Sequence, residues 1–333
     1  MKVFVRLLAC LALGGAGIAS AQSMADVPGV VVGYSPSPSL TDLLLDREVY
    51  VSSPSIAVLP HGDYVASHDL FGAGSGATTS ATTRVYRSTD KGRTWTGPVV
   101  LTDMGRGSLF VHNGLLYLLG YAKESGNIVL RRSSNGGVTW TTPTGSTVGL
   151  LKVGSYGGTP SIPVVHGGKI WIAQSTGVLS ASTDSDLLNA ASWKLSNKIA
   201  SSTTWFDGKF ELWSEAQVVA SPATGVVLLP KIQPLPYTAL LRANTSTGSL
   251  SFDTANDFVS TPGTEKKFGA TYDPVSERFY LLSNPVLPVH ASYGVPQLTR
   301  NTAAVLVSRD LRHWDVQQIF LYASKIAYTA FQY

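Results

Sequence analysis

An eight-residue turn sequence that occurs twice is the feature that most restricts the fold of this chain. The copies run from Ser88 to Trp95 and from Ser133 to Trp140, 45 positions apart, and both read Ser-x-(Asp/Asn)-x-Gly-x-Thr-Trp. In such a turn the Asp or Asn side chain accepts backbone N–H bonds and the glycine adopts a positive φ. The tryptophan buries a large ring beside the turn. The pattern predicts a repeated β-hairpin whose turns are structural and lie away from any binding cleft.

Two weaker copies extend the repeat. One leads from Ser182 to Trp193 over a longer loop, and the other, Ser308–Trp314, lacks the glycine. Intervals of 45 and 49 positions fit a β-propeller, in which blades recur about every 40–50 residues. Strand–turn–strand patterns over 58–65, 110–117 and 164–171 predict the inner hairpin of three blades. We therefore expect one all-β propeller domain of six or seven blades, about four strands each, over residues 22–333.

The N-terminus has the pattern of a secretory signal peptide. Lys2 and Arg6 precede an apolar run from Leu7 to Leu13, and Ala19-Ser20-Ala21 is a small-residue cleavage sequence. We expect residues 1–21 to be removed and the protein to be periplasmic or extracellular. Cys10 is the only cysteine, so the mature protein is expected to have no disulfide.

The composition argues against several classes of partner. Charged residues make up 14% of the chain and the formal net charge is +4, which does not favour nucleic acid or an acidic membrane surface. No metal-ligand spacing or phosphate-binding glycine loop stands out. We expect no cofactor, no metal, no nucleic-acid or membrane partner, and a monomer.

The repeated turns resemble the Asp-box, or BNR repeat, of sialidase-type propellers. Longer stretches, over 53–72 and 108–120 and at Arg300-Asn301-Thr302, resemble a neighbouring group that contains propeller-type ulvan lyases, rhamnose–glucuronate lyases and rhamnosidases. The similarity runs from about Tyr50 to the last residue. Exo-sialidases carry an arginine for the substrate carboxylate where Ser52 stands here. The resemblance thus implies a sialidase fold without sialidase activity.

The lyase members of that group imply β-elimination at a uronic acid, with a base, a cation and an acid. His68 and His112 each end a predicted inner strand, so we expect both imidazoles near the axis on one face, as catalytic groups. Alternatively, His112 only neighbours the turn that follows it. Asp69 either orients His68 or caps a turn, and it is a candidate for substrate binding.

Two further site residues follow from the resemblance itself. Tyr156 stands in a stretch that enters the third blade of the resembling group, and it is a third candidate catalytic residue. Lys231 stands where the group has an arginine, and it is a candidate for binding the substrate. A lysine neutralises a carboxylate as a point charge but lacks the planar fork of arginine.

The predicted function is cleavage of a glycosidic bond in a uronate-containing polysaccharide by β-elimination, with rhamnose as a candidate second sugar. The alternatives are a glycoside hydrolase of the sialidase superfamily, either exo-sialidase or rhamnosidase, and a propeller that binds glycan without cleaving it. In the resembling group, Phe331-Gln332-Tyr333 is followed by more strand sequence. We therefore expect a last blade of fewer than four strands and a ring that is either open or closed mainly by residues 27–34.

Overall fold

The computed structural model describes residues 29–35, 39–291 and 295–322. The expected signal peptide and Phe331-Gln332-Tyr333 lie outside these ranges. One short helix, α1 (Leu40–Leu44), begins after Ser39, whose side chain accepts a hydrogen bond from the Asp42 N–H. Single 3₁₀ turns occupy Ala73–Ser75, Ala190–Ser192, Pro288–His290 and Pro296–Leu298. Within the described ranges, no helix is long and apolar enough to span a membrane.

The rest of the regular structure is β. The strands are β1 (Tyr50–Val58), β2 (Tyr64–Phe71), β3 (Thr82–Ser88), β4 (Thr96–Thr102), β5 (Gly105–His112), β6 (Leu115–Tyr121), β7 (Gly126–Ser133), β8 (Leu150–Tyr156), β9 (Val164–His166), β10 (Lys169–Gln174), β11 (Gly177–Ser182), β12 (Lys194–Leu195), β13 (Leu212–Ser221), β14 (Gly225–Gln233), β15 (Tyr237–Ala239), β16 (Leu241–Ala243), β17 (Leu250–Ser251), β18 (Phe258–Ser260), β19 (Gly269–Asp273), β20 (Arg278–Ser283), β21 (Thr302–Ser308) and β22 (Asp315–Tyr322).

These strands form five antiparallel four-stranded sheets in a β-propeller arrangement. Blade 1 is β1-β2-β3-β4, blade 2 is β5-β6-β7-β8, blade 3 is β9-β10-β11-β12, blade 4 is β13-β14-β16-β17 and blade 5 is β19-β20-β21-β22. β15 and β18 pair separately as a two-stranded ribbon beside blade 4. The three predicted inner hairpins are confirmed as the first hairpins of blades 1, 2 and 3.

The prediction of six or seven blades was wrong for the described residues, which form five. Successive blades begin at Tyr50, Gly105, Val164, Leu212 and Gly269, between 48 and 59 positions apart. The spacing of the turn motif underestimated the length of a blade, because long connections over 134–149 and 196–211 separate the strands. In addition, residues 39–49 precede the first blade and contribute the helix α1 instead of a strand.

The expectation of an incomplete last blade was also wrong, since blade 5 contains four strands. β22 pairs with β21 from Asp315 to Tyr322 and completes the sheet. Residues 29–35 belong to no strand, so they do not extend a sheet edge as expected. The first two residues of the segment proposed to close the ring, 27 and 28, lie outside the described ranges.

Four apolar cores join consecutive blades. Val65 and Leu109 belong to the core between blades 1 and 2, and the same arrangement recurs between blades 2 and 3, 3 and 4, and 4 and 5. Among the described residues, no core joins blade 5 to blade 1. Instead, Ile56 and Val58 on β1 are 59% and 57% exposed. The described ring of blades is therefore open between blades 5 and 1.

The repeated turn joins the third and fourth strands in four of the five blades. In the first copy, Asp90 Oδ1 accepts the Thr94 N–H at 2.9 Å, and the Trp95 Nε1–H donates to Gly92 O at 3.1 Å. Gly92 has a φ of 85°, which explains the glycine in the motif. Because β3 and β4 are the outer strands of blade 1, the turn lies on the outside of the propeller.

Candidate functional site

Three inner strands carry the same backbone irregularity close to where they begin. The registers of β1, β5 and β13 each shift by one extra residue, between Ser52 and Ser55, Gly105 and Ser108, and Ser214 and Gln217. The middle residues of these bulges adopt a left-handed backbone, and they are Ser53 (φ 54°), Arg106 (φ 51°) and Glu215 (φ 47°). A bulge turns a side chain out of the regular alternation of the strand. The local irregularity thus places Arg106 and Glu215 at one end of the blades.

A cleft at that end, which we call the main cleft, has a volume of about 400 Å³. The end of β8, the β10–β11 turn, the segment after β12 and the bulge of β13 form its walls. Its ionisable lining residues are Arg106, Tyr156, Lys198, Glu215 and Lys231. This volume falls in the usual range for small-ligand sites, and it has room for about one or two sugar residues.

Glu215 is held between two lysines. Its Oε2 accepts a hydrogen bond from Lys231 Nζ, and its Oε1 lies 3.5 Å from Lys267 Nζ. Burial would raise the pKa of the Glu215 carboxyl, but Lys267, Lys231 and Arg106 together hold that pKa below its ordinary value. Burial lowers the pKa of Lys267, and Glu215 opposes that effect. The group is therefore a buried cluster with one carboxylate at its centre and more positive than negative charges around it.

Arg106 connects the main cleft to a smaller one. Its main-chain N–H donates to Asp69 Oδ2 at 2.9 Å, and its guanidinium donates to Gly158 O at 3.2 Å and to Glu124 Oε1 at 3.1 Å. The smaller cleft, which we call the side cleft, is lined by Asp69, Phe71, Tyr121, Lys123 and Glu124 among others, and it shares Arg106 and Gly157 with the main cleft. Burial raises the pKa of Asp69 and the pKa of Tyr121.

The five residues predicted from the sequence do not come together in one place. Tyr156 and Lys231 line the main cleft, and Asp69 lines the side cleft. His68 and His112 line neither. His68 is 8% exposed, with Nδ1 3.2 Å from the main-chain oxygen of Asp69 and Nε2 3.2 Å from Tyr86 Oη. Burial lowers its pKa.

The two histidines lie at opposite ends of the strands. β5 runs beside β1 in the same direction. The Arg106 N–H donates to Asp69 of β2, which is paired with the beginning of β1, and the Leu109 N–H donates to Ser55, further along β1. His112 therefore ends β5 at the far side, where its Nε2 contacts Thr183 O at 2.8 Å. The expectation that both imidazoles approach one face is not met, because His68 lies in the second half of a second strand whereas His112 ends a first strand.

Asp69 does not orient His68 through its carboxylate. Neighbouring residues of a strand point to opposite faces, so the Asp69 side chain reaches Arg106 of blade 2 while His68 faces away from blade 2 and packs on Tyr86 with ring centroids 5.6 Å apart. The contact between the two residues involves the Asp69 main-chain oxygen only.

Sequence reasoning missed Arg106, Lys198, Glu215 and Lys267 as members of the site. Arg106 stands 53 positions after Ser53 and occupies the same bulge one blade later, an equivalence that the structure shows. The turn motif does not reveal this equivalence, because the connection between the second and third strands spans 72–81 in blade 1 and only 122–125 in blade 2. Among the described residues, no group of three or more His, Cys, Asp or Glu side chains could hold a metal ion.

Comparison with solved structures identifies the fold. The chain is similar to the Hadza microbial sialidase Hz136, with a TM-score of 0.59 and 14% identity over 84% of this chain and 60% of that protein. The NanB sialidase from Streptococcus pneumoniae gives 0.53 and 12% over 89% and 64%. The Trypanosoma rangeli sialidase in complex with sialic acid gives 0.52 and 13% over 82% and 48%. This chain thus covers between 48% and 64% of the length of these proteins.

No protein-family model and no curated protein matches the sequence. At 12–14% identity, the structural similarity establishes the propeller fold of sialidases and nothing about activity. The closer resemblance to the lyase and rhamnosidase group remains a prediction.

Proposed function

We propose that this protein is a secreted carbohydrate-active enzyme that cleaves a uronate-containing polysaccharide by β-elimination in the main cleft. The observation that carries the proposal is the presence of Tyr156 in one cleft with the cations Arg106, Lys198 and Lys231. Cations there favour an acidic sugar, and a tyrosine hydroxyl can transfer protons. The sialidase-type fold supports a sugar ligand by analogy only.

The same residues supply the parts that an elimination needs. Acting as the base, the phenolic oxygen of Tyr156 takes the proton from C5 of the uronate, and the cations stabilise the negative charge that develops on the carboxylate. The C4–O bond then breaks, a C4=C5 double bond forms, and Tyr156 returns the proton to the leaving oxygen. His68 and His112 have no role in this proposal, because neither lines the cleft.

The distribution of carboxylates also favours elimination over two-carboxylate hydrolysis. Among the described residues lining the main cleft, Glu215 alone carries a carboxylate, and Lys231 and Lys267 already neutralise it. Most glycoside hydrolases place two carboxyl groups on either side of the bond that they cleave.

The test is the ultraviolet absorbance of an unsaturated uronate on a panel of glucuronate- and rhamnose-containing polysaccharides. Tyr156→Phe should lower the rate about 100-fold or more, as expected when a proton-transfer group is lost. Tyr64→Phe, at the opposite end of blade 1, is the matched control and should keep the wild-type rate. An active Tyr156→Phe variant would exclude the proposed role of Tyr156.

One observation favours hydrolysis as the second candidate. Burial raises the pKa of Asp69, whereas the surrounding cations lower that of Glu215, and such a separation is typical of an acid and its partner carboxylate in a glycosidase. Release of new reducing ends without unsaturated product, lost in Asp69→Asn, would favour this mechanism. Binding of glycan with neither product would favour a non-catalytic propeller.

A further inference from the structure

Arg106 differs from the other cations of the main cleft in the partner that it holds. Lys231 and Glu215 are 11% and 13% exposed, and separating a buried pair leaves an uncompensated charge, which is costly. The Glu124 side chain, by contrast, is 40% exposed. An exposed ion pair contributes little to stability, so Arg106 can exchange its carboxylate at low cost.

The rest of the Arg106 environment fixes the guanidinium in place. The main-chain N–H of Arg106 is bound by the buried Asp69 carboxylate, and Nη1 donates to Gly158 O. Glu124 approaches from the end of the β6–β7 hairpin and contacts Nη2 only. A guanidinium presents five N–H donors in a planar fork that matches a carboxylate. Removing Glu124 would therefore leave a positioned, planar anion-binding group between the two clefts.

We propose that Arg106 binds the carboxylate of the uronate substrate and that Glu124 occupies this position in the free protein. The inference rests on the proposed function, because it assigns the acidic substrate group of the same cleft. Arg106 occupies in blade 2 the bulge position that Ser53 occupies in blade 1, beside Ser52, where a sialidase-type arginine is missing. In the free protein, Glu124 then acts as an internal competitor for the Arg106 guanidinium.

Calorimetric titration with two matched ligands tests this assignment without depending on turnover. The ligands are a glucuronate–rhamnose oligosaccharide and the same oligosaccharide with its carboxyl groups reduced to alcohols. Arg106→Gln should lower the affinity for the acidic ligand about tenfold or more, as expected for a lost charged hydrogen bond, and leave the reduced ligand unaffected. Arg106→Lys should recover part of the affinity.

Glu124→Gln provides the second arm. It should raise the affinity for the acidic ligand about two- to fivefold, because an exposed competing pair is weak, and should have no effect in the Arg106→Gln background. Arg87→Gln is the control, since Arg87 also holds a carboxylate, that of Asp63, but in the turn region away from both clefts.

The outcomes separate this proposal from the proposed function. A preference of the wild type for the acidic ligand that disappears in Arg106→Gln, but not in Arg87→Gln, supports the proposal even if no unsaturated product forms. Retention of the preference in a folded Arg106→Gln protein overturns it, even if elimination is observed. A wild type that does not distinguish the two ligands also overturns it.

Discussion

At the scale of single residues, the charges around Glu215 determine how the site responds to pH. Two lysines and an arginine act on one buried carboxyl and lower its pKa. Such an arrangement stabilises the folded protein only while the carboxyl is ionised. It also means that Glu215 is unsuited to act as a general acid near neutral pH, because it holds no proton there.

The pH dependence of unfolding should reveal this ion cluster. Because the pKa of Glu215 is lowered from its ordinary 4.5, its contribution to stability is fully present above that pH and is lost as the pH falls through the folded value. Glu215→Gln should therefore be less stable than the wild type at neutral pH, and the difference should shrink in acid. Chemical denaturation at several pH values measures it.

The exposed Glu211 provides the control, since Glu211→Gln should show no such convergence. A Glu215→Gln variant that is equally destabilised at neutral and strongly acidic pH would mean that packing, not charge, causes the loss.

His68 shows how burial overrides residue type. Its ring is enclosed by Tyr86 and approached by Gly33, where an added Cβ would lie 2.6 Å from Nε2. Burial lowers the pKa of His68, so the imidazole is neutral in the folded protein at neutral pH. A loss of turnover in His68→Gln without a loss of stability would nevertheless support the catalytic role expected from the sequence.

At the scale of elements, the repeated turn contributes different amounts in different blades. Trp193, in the turn of blade 3, is 2% exposed and donates from Nε1 to Leu187 O at 2.8 Å. Trp95, at the same place in blade 1, is only partly buried. The side chain is the same, but the long loop of blade 3 covers the ring.

Replacement of these two tryptophans should therefore have unequal effects. Trp193→Ala should lower the free energy of unfolding by about 3–5 kcal/mol, as a large-to-small core substitution, whereas Trp95→Ala should cost clearly less. Urea denaturation of both variants measures the difference. Equal losses would indicate that the turn contacts, and not burial of the ring, account for the stabilisation.

At the scale of the whole molecule, the open ring gives blade 5 two different faces among the described residues. One face packs against blade 4, and the other faces no neighbouring blade. Leu281 and Leu282 are neighbours in β20 and point to opposite faces of blade 5. Leu281 is fully buried in the core shared with blade 4, whereas Leu282 is 39% exposed on the face turned away from it. Blade 1 likewise exposes Ile56 and Val58, on the face turned away from blade 2.

These two leucines give a matched test of the open ring. Leu281→Ala should cost about 2–5 kcal/mol of unfolding free energy because it leaves a cavity. Leu282→Ala should cost well under half of that, because less apolar surface is removed from water. Denaturant titration of the two variants measures both values. A Leu282→Ala loss as large as that of Leu281→Ala would mean that another part of the protein packs on this face.

The sequence by itself determined the class of fold and the position of the turns. A hairpin depends on residues a few positions apart, so Asp90, Gly92 and Trp95 are sufficient to specify their turn, and its recurrence implies blades. Tyr156 and Lys231, named as site candidates from the resemblance, line the same cleft, and their roles stay predictions.

The tertiary structure alone decided the number of blades, the end of the propeller at which each candidate side chain lies, and the ion pairs that the charged side chains form. The bulge at Arg106 cannot be recognised from its neighbours, because a bulge is a property of the register between two strands. The pairing of Glu215 with Lys267 and the separation of His68 from His112 depend on how blades align around an axis. Such alignment is set by packing between distant segments, which no local pattern encodes.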